Sequence, residues 1–211
     1  MELAQKQRKE RRPPADKFSE RRAELVNAAL HTLAELGYAR TSLREIAQKS
    51  RFSHGVIHYY FSDKDDLIAY CVRDYKAKCV LRYDQIVLDA ASYEELREKF
   101  ASGLAQTLRE DALLHRLWYD LRSQALFEDT FRGDVAEIDK SLEDMVWRVM
   151  TKAFSLRGIQ PTVSREVAYA SLDGLFQTAL LRFLDDDPAA LTDLQTHVRE
   201  FLSLCCAPQR N

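Results

Sequence analysis

Apolar residues recur at three- and four-residue spacing along almost the whole chain, and few helix-breaking residues interrupt them. Among 211 residues there are only 6 glycines and 5 prolines, too few for the many turns of a β-sandwich or β-barrel. No stretch of alternating β-branched residues competes with this spacing. The sequence therefore predicts an all-α protein of about nine helices.

Capping residues and polar breaks indicate where the helices begin and end. The first helix is predicted over 18–37, and Ser42 with Glu45 forms a capping box at the start of the second. Asp111 and Gly133 are interpreted as breaks between later helices. The helices after the third are predicted at 63–88, 93–109, 112–127, 132–157, 162–184 and 189–205.

The chain contains no run of ~18 apolar residues and no apolar segment behind its polar start, so neither a membrane helix nor a signal peptide is predicted. A cytoplasmic location is expected. The cysteines Cys71, Cys79, Cys205 and Cys206 have no C-x-x-C spacing and no histidine at metal-ligand spacing. This favours buried, reduced thiols over a zinc site, and no metal or cofactor is expected.

Positive charge is concentrated in the N-terminal part of the chain. Residues 1–64 contain 13 Lys and Arg against 8 Asp and Glu, whereas residues 65–211 contain 18 against 25. A basic module suits phosphate binding, and the acidic remainder repels nucleic acid. Residues 1–17 lack apolar periodicity and are interpreted as a flexible basic arm, which is either a DNA contact or a solvated terminus without function.

The second and third helices are joined by a short turn that ends at Ser53, which is the layout of a helix-turn-helix over 42–61. In that motif the third helix enters the major groove with its N-terminal residues near the base edges. A plain helical hairpin with core aromatic residues is the alternative. The residues predicted to contact DNA are Ser42, Arg44, Ser53, His54, Gly55, Val56, His58, Tyr59 and Lys64.

The N-terminal part also carries three consecutive motifs, Leu25-x-x-Ala28-Ala29, Gly37-Tyr38-x-x-Thr41-Ser42-x-x-x-Ile46-Ala47 and Phe52-Ser53-x-Gly55-x-Ile57-x-Tyr59-Tyr60-Phe61-x-x-Lys64-x-x-Leu67. This pattern resembles the DNA-binding domain of TetR-family transcriptional regulators. The resemblance implies a three-helix DNA-binding domain over 18–64 and a helical effector-binding and dimerisation domain over 65–211. It also implies a homodimer, usually a repressor, that binds a palindromic double-stranded DNA operator and is released by a small molecule.

Within that family, the stretch from His58 to Lys64 is similar to regulators of choline and betaine metabolism. Two positions depart from the family pattern. Arg51 stands where a turn glycine is usual, so either a strained turn or an added phosphate contact is expected. His58 replaces a tyrosine that often contacts the phosphate backbone, which predicts a modest pH dependence of operator affinity.

The C-terminal part is rich in aromatic residues, most of which are expected to form its core. Some of them are predicted to line an effector pocket between helices. Carboxylates beside aromatic faces would suit a cationic ligand such as choline, whereas an apolar drug-like or acyl compound fits equally well. The residues predicted for this pocket are Trp118, Tyr119, Arg122, Trp147, Asp173 and Phe176.

The last two helices carry more apolar surface than one hairpin can bury, which predicts a dimer interface rather than packing wholly within the subunit. Two modules related by the dimer axis would place their third helices about one DNA turn, ~34–36 Å, apart on a palindrome. The residues predicted for the interface are Ala170, Gly174, Thr178, Leu194, Val198 and Phe201.

Two other classes of protein, enzymes and nonspecific binding proteins, differ from a regulator in their sequence signals. An enzyme is not predicted, because the chain has no G-x-S-x-G, no H-E-x-x-H and no phosphate-binding glycine loop. A helical protein that binds DNA without sequence preference, or binds other proteins, is the remaining alternative. Sequence preference and its salt dependence distinguish it from a specific regulator.

Overall fold

The computed structural model describes residues 14–207, which form eight α-helices and confirm the all-α prediction. The helices are α1 (Pro14–Arg40), α2 (Leu43–Gln48), α3 (His54–Tyr60), α4 (Lys64–Asp89), α5 (Tyr93–Gln124), α6 (Asp129–Arg157), α7 (Arg165–Leu184) and α8 (Ala190–Cys205). Most of the predicted basic arm, residues 1–13, lies outside the described residues. The first helix begins at Pro14 rather than near Phe18, since proline is well suited to the first turn of a helix.

The described part of the chain has one helix fewer than predicted, because the break at Asp111 is a kink within α5. Asp111 has non-helical backbone angles, φ −122° and ψ 26°, but the helix continues beyond it. The Arg82 guanidinium of α4 donates to the Asp111 carboxylate at 2.8 Å, which holds the kink against α4. Gly133 likewise lies inside α6 and does not end a helix.

Helices α1 to α3 form a small N-terminal module around a common core. Leu25, Leu33, Ile46 and Ile57 are fully buried in it. Each such side chain stabilises the fold by about 1.5–3 kcal/mol through removal of apolar surface from water. The first half of α4 packs on the same module, since the Cys71 thiol donates to a backbone carbonyl of α1 at 3.7 Å.

The second half of α4 joins α5 to α8 in a C-terminal helical bundle. Helix α5 runs through its middle and packs against α6, α7 and α8. All four cysteines are buried as free thiols, in agreement with the sequence prediction. Among residues 14–207 no helix is long and apolar enough to cross a membrane, and no group of His, Cys, Asp and Glu is arranged to hold a metal ion.

Tyr38, near the C-terminal end of α1, links the N-terminal module to the bundle. Its backbone N–H donates to Asp120 Oδ2 of α5 at 2.8 Å, and its hydroxyl donates to Asp65 of α4 at 3.1 Å. Gly37 permits this geometry, because its φ of 74° is unfavourable for other residues and a Cβ there would lie 3.3 Å from Asp120 Oδ2. Arg116 of α5 adds hydrogen bonds to carbonyls of α1. We call Tyr38, Asp65, Arg116 and Asp120 the junction.

Replacing Asp120 with alanine is expected to lower the free energy of unfolding by about 1–2 kcal/mol, because the Tyr38 N–H loses a charged acceptor in a half-buried place. Urea unfolding measures the change. Ser123→Ala is the matched control on α5, since its hydroxyl donates only to the Tyr119 carbonyl one turn earlier. Equal stability of the two variants would contradict the junction hydrogen bond.

Candidate functional site

Helix α3 presents one continuous exposed face of the N-terminal module. Ile57 alone points fully into the core, with no exposed surface, while Tyr59 is 73% exposed. The six residues predicted for this face are all exposed: Ser53, His54, Gly55, Val56, His58 and Tyr59. The structure therefore brings these predicted site residues together on one surface, which we call the α3 face.

Local hydrogen bonds and aromatic contacts hold the α3 face in place. The Ser53 hydroxyl accepts from the Val56 N–H at 3.3 Å and caps α3. At the other end, Phe18 of α1 lies 4.8 Å from Tyr60 and 6.0 Å from Tyr59 between ring centroids. The His54 and His58 rings contact each other at 4.5 Å on the outer side. The face is therefore set by the fold before any partner binds.

The other three predicted contact residues lie at the starts of α2 and α4. Ser42 forms the predicted capping box with Glu45, with hydrogen bonds of 3.2 and 2.7 Å, and its neighbour Arg44 is exposed. Lys64 is half-buried, and its ammonium lies 4.0 Å from the centroid of the Tyr38 ring. The Lys64 side chain is thus partly engaged within the protein.

The expectation of a strained turn at Arg51 is wrong. Among the described residues other than glycine, only Asp186 has a positive φ, so Arg51 needs no left-handed backbone. Its guanidinium forms an ion pair with Glu24 of α1 and lies 5.5 Å from the Phe52 ring centroid. The side chain therefore ties the turn to α1.

The C-terminal bundle contains an interior cavity of about 60 Å³ between α4, α5, α6 and α7. Trp118, Tyr119, Asp173 and Phe176 line it, so four of the six residues predicted for the pocket lie together. Its wall is otherwise mostly apolar, with Tyr83, Phe100, Leu104, Leu142, Met145 and Leu172. Such a site suits a small ligand held by apolar contacts and a few polar groups.

The other two predicted pocket residues are placed differently. Arg122 lies behind the cavity wall, where its guanidinium pairs with Asp173 at 2.5 Å and with Asp139 at 3.4 Å. Trp147 does not line the cavity, because its ring packs against Phe154 at 6.2 Å and beneath Arg165. Trp147 therefore stays a predicted pocket residue that this cavity does not include.

Two ionisable residues that line the cavity, Lys76 of α4 and His115 of α5, were not predicted from the sequence. Both are buried, with 4% and 3% of their surfaces exposed, and Lys76 Nζ lies 3.2 Å from His115 Nδ1. Burial lowers the pKa of Lys76 to about 8. Burial, together with the Lys76 charge, lowers the pKa of His115 well below its ordinary value of 6.5. Their positions within otherwise apolar helical stripes were the available signal.

The residues predicted for a dimer interface differ in exposure. Ala170, Gly174 and Thr178 are exposed along one side of α7. Leu194 and Val198 are buried within the protomer, with 1% and no exposure, because α8 packs its apolar face against α5 and α7. They hold the subunit together and present no surface to a partner. Phe201 is half-buried.

Residues 25–71, which include the helix-turn-helix, match the family described as bacterial regulatory proteins, tetR family. The chain is 28% identical over 196 residues to the HTH-type transcriptional regulator BetI of Burkholderia thailandensis. The aligned region covers 90% of this chain and 95% of the relative.

Two solved structures share the fold at low sequence identity. The regulator FadR of Bacillus subtilis, solved in complex with stearoyl-CoA, has a TM-score of 0.71 at 20% identity, covering 85% of this chain and 96% of that chain. A regulator of Saccharomonospora viridis in complex with choline has a TM-score of 0.72 at 16% identity, covering 88% and 96%. With its matching helix-turn-helix at residues 25–71 and a helical bundle of the same fold, the chain is similar to the TetR family of DNA-binding transcriptional regulators.

Proposed function

We propose that this protein is a ligand-responsive repressor that binds a palindromic operator as a homodimer and releases it when a small molecule occupies the cavity. The observation that carries the proposal is the α3 face, a rigidly supported and exposed surface with several hydrogen-bonding side chains. The proposal places the protein in the cytoplasm, where the DNA lies.

On DNA, the N-terminal turn of α3 is proposed to meet the base edges. Ser53, His54, His58 and Tyr59 supply hydrogen-bonding groups, and Val56 can contact a thymine methyl. Gly55 has no side chain, which lets the backbone approach the groove closely. No protein atom lies within 4 Å of the position a Cβ would take, so this position faces open space. Ser42, Arg44 and Lys64 are proposed to contact phosphates and so fix the register of the module.

The proposed dimer surface is the exposed side of α7. Val167 and Leu181 are 53% and 65% exposed there, and the small residues Ala170, Gly174 and Thr178 lie between them. Such a stripe permits close helix crossing about a two-fold axis. The axis would place the two α3 helices about one DNA turn, ~34–36 Å, apart, which is the basis for expecting a palindrome.

Replacing Gly174 with glutamine is expected to weaken dimerisation by about tenfold or more, because two-fold symmetry places both new side chains in one contact. Analytical ultracentrifugation over a concentration series measures the dissociation constant. Gly133→Gln is a matched control, since both glycines are helical and neither would bring a Cβ within 4 Å of another atom. If both variants dimerise like the wild type, α7 is not the interface.

Helix α5 is the proposed route from the cavity to the DNA-binding module. Trp118 and Tyr119 line the cavity, while Arg116 and Asp120 in the same turns belong to the junction. A shift of α5 on ligand binding therefore moves the end of α1 directly. A tenfold to hundredfold loss of operator affinity requires about 1.4–3 kcal/mol of differential ligand affinity between the two states.

Selection of randomised duplex DNA by the purified protein at two salt concentrations tests the proposal. A specific dimeric regulator enriches a palindrome with half-sites about one turn apart at both salt concentrations. Enrichment of no motif, with retention that disappears at the higher salt concentration, would instead identify a nonspecific DNA-binding protein.

A further inference from the structure

We propose that the cavity binds the carboxylate of a small apolar acid rather than a cation such as choline. The inference rests on the proposed function, because it takes the cavity as the effector site. The proposal depends on unsatisfied hydrogen-bond donors of two residues that line the cavity, on the pairing of the nearby carboxylates with other groups, and on the size of the space.

Lys76 supplies the positive charge. An ammonium group carries three N–H donors and no acceptor. One of them is directed to His115 Nδ1, 3.2 Å away, and no ion pair joins Lys76 to a carboxylate among the described residues. Two donors of a buried cation beside the cavity therefore have no acceptor in the described part of the chain. A buried charge in this situation is strongly stabilised by a bound counter-ion.

His115 is fixed as a neutral ring by its two partners. Lys76 can only donate, so Nδ1 accepts and the proton lies on Nε2, which donates to the Tyr75 hydroxyl at 3.2 Å. A protonated ring at this place would face the Lys76 ammonium directly. His115 therefore orients Lys76 and adds no acceptor that a ligand cation could use.

Trp118 supplies a further donor. Its side chain lines the cavity and is 1% exposed, yet its indole N–H has no hydrogen-bond partner within residues 14–207. The Lys76 ammonium lies 5.3 Å from the centroid of the same indole. A carboxylate has two oxygens that can accept hydrogen bonds from both residues at once.

The acidic groups near the cavity are already occupied. Asp173 accepts from Arg122 at 2.5 Å and from the Tyr119 hydroxyl at 3.0 Å, and Asp139 is engaged by Arg122 and by Tyr169. The face of Trp118, which could otherwise attract a quaternary ammonium, already has Lys76 beside it. The carboxylates of Asp173, Asp139 and Asp111 attract Lys76 through space, but none of them forms an ion pair with it among the described residues, so a ligand cation would still meet the Lys76 ammonium at short range.

The volume limits the ligand. A cavity of about 60 Å³ accommodates about four to six water-sized groups, and most of its wall is apolar. Acids of butyrate size match this space. The flexible side chain of Met145 in the wall provides room for a slightly longer tail.

Fluorescence titration of the full-length protein tests the proposal. The chain has two tryptophans, so a Trp147→Phe background leaves Trp118 as the only reporter, inside the cavity. Butyrate is compared with its neutral isostere butyramide and with choline at constant ionic strength. We expect saturable binding of butyrate, about tenfold or more tighter than that of butyramide, and no saturable binding of choline.

Two variants separate the charge from the apolar contacts. Lys76→Met in the same background is expected to weaken butyrate binding about tenfold or more and to weaken butyramide binding by a much smaller factor, because the amide loses a hydrogen bond but no charge pair. Lys78→Met is the matched control, because Lys78 is an exposed residue of α4 that pairs with Asp74. Trp118→Phe, measured by calorimetry, is expected to weaken butyrate binding about fivefold through loss of the indole donor.

Failure to bind butyrate, equal affinity for butyrate and butyramide, saturable choline binding, or an unchanged affinity in Lys76→Met would each overturn the proposal. Operator binding is measured on the same preparations, so that failure of the carboxylate proposal can be distinguished from failure of the proposed function. A protein that binds its selected palindrome but not butyrate remains a regulator with another class of ligand. A protein that selects no palindrome is not a specific regulator, whatever it binds in the cavity.

Discussion

Replacing Gly55 with glutamate is expected to reduce specific operator affinity by about a hundredfold or more while leaving the protein folded. Gly55 lies exposed in the first turn of α3, and a side chain there meets no atom of the protein within 4 Å. On DNA the same side chain would occupy the closest approach to the groove and bring a carboxylate toward the phosphates. Like charges brought together in an interface cost several kcal/mol. Fluorescence anisotropy with a labelled operator measures the loss.

The fold is expected to tolerate this change well. Glutamate has a higher helix propensity than glycine, and a negative charge in the first turn interacts favourably with the helix dipole. The melting temperature should therefore equal or exceed that of the wild type. Gly133→Glu adds the same charge at an open helical position in α6 and should retain operator binding. Similar operator affinities for the two variants would show that α3 does not enter the groove.

Replacing Lys76 with methionine is expected to stabilise the unliganded protein by about 2 kcal/mol at pH 7. Burial lowers the pKa of Lys76 from 10.5 to about 8, a shift that corresponds to about 3 kcal/mol of destabilisation of the folded state. The substitution also removes the hydrogen bond to His115 Nδ1, which lowers the stability by about 1 kcal/mol. Methionine has a similar length and fills the space without a charge.

The stability difference between Lys76→Met and the wild type depends on pH through the pKa of Lys76. Below about pH 8 Lys76 is protonated in both states, so the folded state bears the full penalty. Between about pH 8 and 10.5 the unfolded chain retains more protons, so the wild type becomes more stable relative to the variant as pH rises. Urea unfolding at pH 7 and 10 is therefore expected to show a smaller difference at the higher pH. Lys78→Met, at an exposed position, should change stability little at either pH. A Lys76→Met protein less stable than the wild type at pH 7 would contradict the account.

Local features of the sequence predicted the N-terminal module well. The capping box of Ser42 with Glu45 and the cap at Ser53 appear in the structure as expected, because capping depends on residues within one turn. The exposed side of α3 also followed from helical periodicity once Ile57 was placed inward.

Features that depend on distant residues were predicted less well. Asp111 is a break in sequence, but its long-range contact with Arg82 holds a kink instead. The turn sequence alone predicts strain or a phosphate contact at Arg51, because its ion-pair partner Glu24 lies on another helix. The apolar stripe of α8 gave no way to distinguish burial within the subunit from burial between subunits, which is why Leu194 was misplaced.

Local sequence indicates Lys76 and His115 only weakly as groups beside the cavity. A single lysine in an apolar helical stripe usually extends its charged end to solvent. Only the packing of α4 against α5 brings Lys76 and His115 together and removes both from water. Trp147 is an aromatic residue that the sequence pattern assigns to the pocket, but its ring lies beneath Arg165 and does not line the cavity.

Recognition of a specific DNA sequence through α3 is the part of the proposed function on which the rest depends. Its most direct test compares the affinity for the selected palindrome with that for a scrambled duplex of equal length, at two salt concentrations. We expect a ratio of about 10³ or more that persists at the higher salt concentration. A ratio near one, with both affinities falling in parallel as salt is raised, would contradict it.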